Sequence, residues 1–575
     1  MTLNQVRAAL ARVGLVGIEA DEERGAVVLT GAVASWDQYV SAGYAAAGQG
    51  FRGVVNRVEV SGLGQQPMAL PKKADGSLDG LEYDVVVIGG GVIGCAIARE
   101  LTRWSLSVAL LEKEEDVAKH ASSRNNGMVH PGFAPTPGSR KAYYNVRGNR
   151  LYDQVADELG FRFERCGSLV LLSASWHRLL YPVAARRARR NGVDGLGLLG
   201  RRAVLSREPN VWPGQRGAFY LPSAGIVAPY EVTAAYAENA LQNGAAIHLN
   251  TVALGFTVHH GRIEAVETNR GTIRARAVVN AAGVWADRVA ELAGDRFFTI
   301  HPRKGSIAIL DKKTAVHQSM VFGLLRLKGV GHSKGGGITR TVEGNLLIGP
   351  NAIEVPGRED YSTDPTDLEY LMTHHLSLNV KLRPSDIITY FAGVRAATFE
   401  EEFIVEPSRS IANLVHAAGI QSPGLAAAPA IAADVSEMVA AQLARQMEVR
   451  ANPNFRSRRQ VSPRLAQLPL TERARLIRQN PAYGRIVCRC ETISEGEVVD
   501  AINSTLPALT LDGLKRRVRT GMGRCQGGFC TPELISLIAR ETGQPPTAVT
   551  KSGPGSELLV AETKVGATNG GGGHQ

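Results

Sequence analysis

Tyr83-Asp84-Val85-Val86-Val87-Ile88-Gly89-Gly90-Gly91-Val92-Ile93-Gly94, running on to Leu110-Leu111-Glu112-Lys113, is the stretch whose reading decides the fold. Val85 to Ile88 is an unbroken β-branched run, the pattern of a parallel strand buried on both faces. Gly89, Gly91 and Gly94 then fall in G-x-G-x-x-G spacing. The first permits a tight turn, the second lets the backbone approach a pyrophosphate, and the third allows a helix to pack closely on the strand. A helix is predicted from Ile93 to about Trp104, its N-terminus facing the phosphates, and a second strand from Ser107 to Leu111. Glu112, 18 residues past the third glycine, stands where a carboxylate accepts both ribose hydroxyls, so the nucleotide should carry no 2′-phosphate. The motif alone does not separate NAD from FAD.

The rest of the composition bounds the answer. A chain of 575 residues exceeds what one core supports and predicts about three or four domains. Apolar content of 44% and charged content of 21% are those of a globular enzyme. The net charge of +11 and pI of 9.4 raise the question of nucleic acid. The basic residues are scattered, however, densest at Arg186 to Arg190, Arg201-Arg202, Arg456 to Arg459 and Lys515 to Arg517, with little aromatic interleaving. That favours a solvated face or a docking patch for an acidic protein over a nucleic-acid groove. No window of 18 apolar residues is evident, so no transmembrane helix is expected, and the acids at Glu19 to Glu23 argue against a secretory signal. Four of six cysteines lie within 43 residues, which points to a metal site in a reducing cytoplasm rather than a disulfide scaffold.

Residues 1–62 read as a separate small α+β unit: helix Leu3 to Val13, strand Ala26 to Val33, helix Trp36 to Gly48, strand Val54 to Val60. The unit resembles a BON domain in its V-x-L-x-G-x-V strand (Val27 to Val33) and closing G-V-V-x-x-V-x-V strand (Gly53 to Val60). That resemblance implies protein contact or peripheral contact with a membrane; the alternative is a packing appendage. Residues 63–81 have no hydrophobic period and read as a linker.

After Glu112 comes Lys119-His120-Ala121-Ser122-Ser123-Arg124-Asn125-Asn126-Gly127-Met128-Val129-His130-Pro131-Gly132, a run dense in hydrogen-bonding groups. It resembles the S-x-R-N-S-G-x-x-H-x-G run of the FAD-dependent D-amino-acid-oxidase superfamily, in its glycerol-3-phosphate and L-2-hydroxyglutarate dehydrogenase branch, with Asn126 in place of the second serine. Further matches are Val252 after a predicted strand from Ile247, which implies adenine contact; Asn280 to Ala286 as a second flavin turn through Gly283; and a helix from Pro229 to Gln242. Phe391 to Arg395 and Ala418 to Leu425 resemble the segments that close over the flavin ring, implicating Gly393, Gly419, Gly424 and Leu425. The resemblance implies that Ser122, Ser123, Asn125, Asn126 and Gly127 lie along the cofactor and that His130 faces the ring, able to take an alcohol proton near neutral pH. Arg395 can fork onto a carboxylate or phosphate. Arg303 and Lys304, opening an antiparallel sheet, are further candidates for the same anion, with Arg340 a third strand cation beside them.

A helix from Ala430 to Gln446 is expected to end the oxidoreductase at residue 446, followed by a basic connector over residues 447–483. Beyond it Cys488-Arg489-Cys490 and Cys525 to Cys530 give C-x-C, 34 residues, C-x4-C, in glycine-rich loops. Four thiolates suit a [2Fe-2S] cluster or a tetrahedral zinc. A single residue inside the first pair disfavours zinc, and the run over residues 484–560 resembles the BFD-like [2Fe-2S] domain fused to bacterial glycerol-3-phosphate dehydrogenases. Cys95 and Cys166 are expected to be buried apolar residues, and residues 561–575 a disordered tail.

The expected fold is thus α/β: a Rossmann-type FAD-binding domain with an α+β antiparallel-sheet substrate domain over residues 82–446, plus the small N-terminal and mainly helical C-terminal domains. The expected function is an FAD-dependent dehydrogenase of a small anionic hydroxy compound, glycerol 3-phosphate first, passing electrons to its own cluster. The alternatives are an L-2-hydroxyglutarate or amino or opine acid dehydrogenase, and a non-catalytic relay subunit. A redox partner protein or second flavoprotein subunit is expected to dock on the basic connector around Arg456, Arg458 and Arg459, with Lys515, Arg516 and Arg517.

Overall fold

The computed structural model describes residues 2–64, 67–314, 319–323 and 336–561, so most of the expected tail lies outside the described residues. Two compact units emerge, Met1–Val461 and Ser462–Gln575.

The first unit is built on the quoted stretch. Strand Glu82–Ile88 sits between Val108–Leu111 and Gly271–Asn280, all parallel, with Ala246–His248 beyond one side and Leu414–Ala418 beyond the other. Val85, Val86 and Val87 are fully buried, which is what an unbroken β-branched run requires when both sheet faces are covered. Helix Val92–Leu101 follows at once, and the second strand ends at Leu111, one residue before Glu112. The strand expected from Ile247 stops at His248, leaving Val252 in the loop that follows.

The second sheet is nine-stranded, with long strands Ile300–Leu310 and Ile387–Thr398 paired antiparallel along their length. Arg303 stands opposite Arg395 on one side and Glu354 on the other. Helix Gly424–Leu443 begins six residues earlier than expected and contains Pro429. The residue four before it, Leu425, loses its helical donor to the proline, and the Tyr152 hydroxyl donates to that carbonyl at 2.6 Å instead. Gly148 of helix Arg140–Leu159 makes the crossing close, since a Cβ there would lie 2.0 Å from the Ala426 carbonyl oxygen. By length and composition Gly424–Leu443 could cross a membrane, contrary to the expectation above, yet 67% of its most apolar window is buried.

Residues 1–62 form the expected helices and strands plus one missed strand, Glu19–Glu23, too acidic to read as such. Their core is not separate. Ala26, Val28 and Val55 pack in one cluster with Phe297, Phe298, Val394 and Ala396, and Phe399 joins the cluster beneath helix Trp36–Ala46. The expected linker is likewise laid onto the unit: Leu78 is buried, and the amides of Leu78 and Gly80 donate to the carbonyls of Arg270 and Thr272. The expected connector splits at residue 461. Its first part is fastened to the first unit, Asn452 bonding Arg103 and Thr102 and Arg459 pairing with Glu238. Its second part contains helix Leu470–Gln479. Polar side chains there serve as backbone ties, which a composition reading mistakes for solvation.

In the second unit, hairpin Ile486–Cys488 with Ile493–Ser494 precedes helices Glu495–Ile502, Leu511–Val518 and Thr531–Thr542 around a core including Val487, Val498, Leu514 and Ile538. Ser494 and Glu497 close a capping box at the first of these helices.

Candidate active site

One elongated cavity runs through the first unit from Met68, Glu112, Lys113 and Val252 to His130, Arg303, Arg395 and Gln421. Its first end is the glycine turn. Gly89 holds φ at +113°, and a Cβ there would lie 2.4 Å from the Ala281 carbonyl oxygen. A Cβ on Gly94 would lie 1.9 Å from the Gly89 carbonyl oxygen, so this third glycine serves helix packing and does not line the cavity. The Ser122 hydroxyl accepts the Val92 N–H at 2.8 Å, tying the following loop to the helix start. Glu112 accepts the Gly90 N–H at 2.6 Å and the Glu114 N–H at 2.9 Å; burial raises its carboxyl above the ordinary range. At Gly283 a Cβ would meet nothing within 4 Å, so the second turn opens onto the cavity. A long cleft with glycine backbone at the turn and a carboxylate at the strand end fits an FAD.

Asn125, Asn126, Val252, Gly393, Gly424 and Leu425 also line the cavity, as expected. Ser123, Gly127 and Gly419 do not. The Ser123 hydroxyl turns back to the carbonyls of Lys119 and His120. Gly127, at φ +67°, lets the chain pass the Val227 carbonyl oxygen, 2.2 Å from its Cβ position, and Gly419 passes Thr398 in the same way.

At the far end, His130 lines the cavity with Nε2 3.5 Å from the Ser422 Oγ, and its backbone carbonyl is held by the Asn145 and Asn149 side chains. The three basic candidates have separate fates. Lys304 does not line the cavity; it points to the opposite sheet face, where Asp364 at 2.8 Å and Asp360 at 3.0 Å pair with it. Arg303 lines the cavity but is 4% exposed and fully engaged by Glu354 and Glu401, both at 2.6 Å, by Gln421, and by Tyr44. Neither therefore acts as a free ligand for substrate. Arg340 is taken by Glu164. Arg395 donates to the Asn351 carbonyl and pairs with no carboxylate among the described residues. Burial and the neighbouring Arg303 hold its guanidinium down to about 10.

Sequence reasoning missed Lys141, Glu401 and Gln421 in this wall. Lys141 lies 3.3 Å from Glu401, and burial lowers its ammonium below the ordinary lysine range. Burial works against the Glu401 carboxylate, but Arg303 and Lys141 bring it to about 2. The acidic run Glu400-Glu401-Glu402 straight after a buried strand was the available signal for it; nothing singled out Lys141.

In the second unit the four cysteines gather as two pairs, Cys490 with Cys525 at 3.4 Å between sulfurs and Cys488 beside Cys530. Backbone N–H groups of Gly521 and Glu491 address Cys488, and those of Gly527 and Phe529 address Cys525, each favouring thiolate. Gly523 is required beside them, since a Cβ there would lie 2.3 Å from the Cys490 Cβ. Among the described residues no three His, Cys, Asp or Glu side chains converge on one ion. Two thiol pairs rather than one tetrahedral focus fit two irons, not a zinc.

A family model for FAD dependent oxidoreductases matches residues 84–438. The chain belongs to that family. A second model, for BFD-like [2Fe-2S] binding domains, matches residues 486–540, and the flavoenzyme's cofactors are FAD and a [2Fe-2S] cluster. It is 37% identical over 484 residues to a glycerol 3-phosphate dehydrogenase of Caloramator mitchellensis, covering 84% of this chain and 99% of that one. It is 28% identical to a glycerol 3-phosphate oxidase of Mycoplasma genitalium, over 65% of this chain and 98% of that one. Among solved structures, dithionite-reduced L-alpha-glycerophosphate oxidase of Mycoplasma pneumoniae with FAD bound superposes with a TM-score of 0.61 at 26% identity, covering 67% of this chain and all of the other. Residues 1–83 of the flavoenzyme precede both matched regions. Cys95 is buried as expected; Cys166 is only half-buried.

Proposed function

We propose that this flavoenzyme oxidises glycerol 3-phosphate and sends the electrons through its [2Fe-2S] cluster to an external acceptor. The observation that carries the substrate is Arg395: a cavity-facing guanidinium without a carboxylate partner among the described residues, in a wall where carboxylates engage Lys141 and Arg303. A phosphate oxygen pair suits its fork, and the likeness to glycerol 3-phosphate dehydrogenase supports that choice of anion. Bound FAD supplies the hydride acceptor, and the cluster a one-electron outlet. The chain's own residues do the rest. Arg395 fixes the phosphate end, His130 takes the hydroxyl proton as the carbon gives up hydride, and Asn145 with Asn149 hold the His130 backbone in place. The substrate loses one hydride and one proton and leaves as the ketone.

The electron acceptor is an acidic redox protein or a second flavoprotein subunit. What supports a docking edge is not the patch expected from sequence, since Arg459 is paired with Glu238 and Arg516 and Arg517 are buried. It is the exposed Arg489 and Arg524 beside the cysteine pairs, with Arg489 stacked 4.1 Å over a Phe529 ring that is 54% exposed. Six cysteines, none in a disulfide among the described residues, suit a reducing cytoplasm. Residues 1–62 are in this reading a BON-like module used for packing against the oxidoreductase.

The deciding experiment is a redox-dye assay of purified holoenzyme against glycerol 3-phosphate, 2-hydroxyglutarate, proline and sarcosine. Glycerol 3-phosphate should be preferred, and Arg395→Ala should raise its KM by roughly 10- to 100-fold, on the loss of a charge-assisted pair. Preference for one of the other substrates, or an unchanged KM in the variant, overturns the assignment.

A further inference from the structure

Among the described residues, one side chain of the N-terminal module hydrogen-bonds into the network of the cavity wall. Tyr44, on helix Trp36–Ala46, donates its hydroxyl to the Glu401 Oε1 at 2.9 Å and accepts from the Arg303 guanidinium. The helix is seated for this contact at Gly43, whose Cβ would lie 2.3 Å from the Phe399 ring. The Tyr44 ring in turn packs edge-on against His301 at 5.4 Å and Phe399 at 5.5 Å between centroids.

Glu401 is what this contact controls. Its backbone is at φ +53°, a left-handed conformation that a glutamate adopts only under constraint. Its Oε1 is shared by Tyr44 and Arg303, and its Oε2 faces Gln421 at 2.6 Å and Lys141 at 3.3 Å. Arg303 stands directly beside Arg395 across the strand pair, so a carboxylate released from Arg303 is left between Lys141, already 3.3 Å away, and Arg395. The field of Glu401 already reaches Arg395.

We propose that Tyr44 is a positioning residue of the active site: it pins the Glu401 carboxylate to Arg303 and so keeps that negative charge off the anion-binding Arg395. The module is then a working part of the site, though it lies before both matched family regions. The proposal rests on the reading of the Arg395 end as an anion site.

Inorganic phosphate titrated into oxidised holoenzyme, followed by the flavin absorbance difference, reads that end without turnover. Tyr44→Phe removes one oxygen and should weaken phosphate by about 5- to 50-fold, with flavin content and denaturation midpoint held. KM for substrate should rise in step while kcat changes less than about twofold. Tyr39→Phe, on the same helix but with its hydroxyl bonded only inside the module, should leave phosphate affinity as in wild type. In the double variant Tyr44→Phe with Glu401→Gln, no charge remains to be released, and affinity should return to within about threefold of wild type. Unchanged affinity in Tyr44→Phe, equal weakening in Tyr39→Phe, no rescue in the double variant, or no phosphate binding by wild type each overturn the proposal. Wild type that binds phosphate but does not oxidise glycerol 3-phosphate overturns the substrate assignment and leaves Tyr44 standing.

Discussion

Glu400→Gln should abolish a pH dependence of stability that the wild-type protein carries between about pH 4.5 and pH 7. Glu400 lies where the end of strand Ile387–Thr398 meets the N-terminal module, its Oε1 shut from solvent without a hydrogen-bond partner and 3.6 Å from where a Gly53 Cβ would stand. Burial, with the Glu401 carboxylate next to it, raises its carboxyl from 4.5 to about 7. The folded protein thus keeps this proton after the unfolded chain has released it. The associated stability is whole below about pH 4.5, declines as pH rises, and is gone above about pH 7. A change from 4.5 to about 7, at about 1.4 kcal/mol for each tenfold, sets an upper bound of about 3 kcal/mol. The amide keeps the shape without the charge. Urea midpoints of wild type and Glu400→Gln at pH 5 and pH 8 test this, and the difference between the proteins cancels the other titrating groups. The variant should gain on wild type from pH 5 to pH 8 by at most about 3 kcal/mol. Parallel midpoints at both values would refute the reasoning.

His130→Ala should lower turnover by ~10²-fold or more while flavin content, read from absorbance, stays near wild type; a normal rate removes the histidine from the chemistry. Glu112→Arg should yield colourless protein, because the carboxylate that accepts the Gly90 and Glu114 amides and faces the ribose is replaced by a bulky cation; a fully yellow preparation contradicts the assignment. Cys525→Ser should leave bleaching of the flavin by substrate nearly intact in stopped flow and abolish the cluster EPR signal and transfer to the acceptor; zinc in place of iron in the wild-type protein would defeat that scheme.

The sequence displayed the parts of this protein whose function is local backbone geometry. Gly89 and Gly94 report a turn with no room for a side chain, and the β-branched run before them reports two covered faces. Cys488 to Cys530 carry their chemistry in their spacing. What was hidden depends on pairing across long separations. Arg303, Lys304 and Arg395 look alike as basic residues on strands, and only the register that sets Arg303 between Arg395 and Glu354 shows which one keeps its charge for a ligand. The helix from Gly424 runs on through Pro429 because the lost hydrogen bond is replaced by Tyr152, a residue 277 positions earlier. The polar stretch after Leu443 looked like a connector because a backbone tie and a solvated side chain have the same composition.

The shared core between residues 1–62 and the strands beyond residue 297 also sets an order of events during synthesis. The module leaves the ribosome first, but the surfaces that cover Ala26, Val28 and Val55 arrive with Phe297, Phe298, Val394 and Ala396. At elongation speeds of about 5–20 residues per second, the wait for Ala396 is roughly 20 to 70 s. For that interval a finished helix–strand fold presents an apolar face, and the parallel sheet, still lacking Leu414–Ala418, can offer it no completed partner. Nascent chains stalled before residue 396 should therefore be the species that chaperones bind and proteases cut.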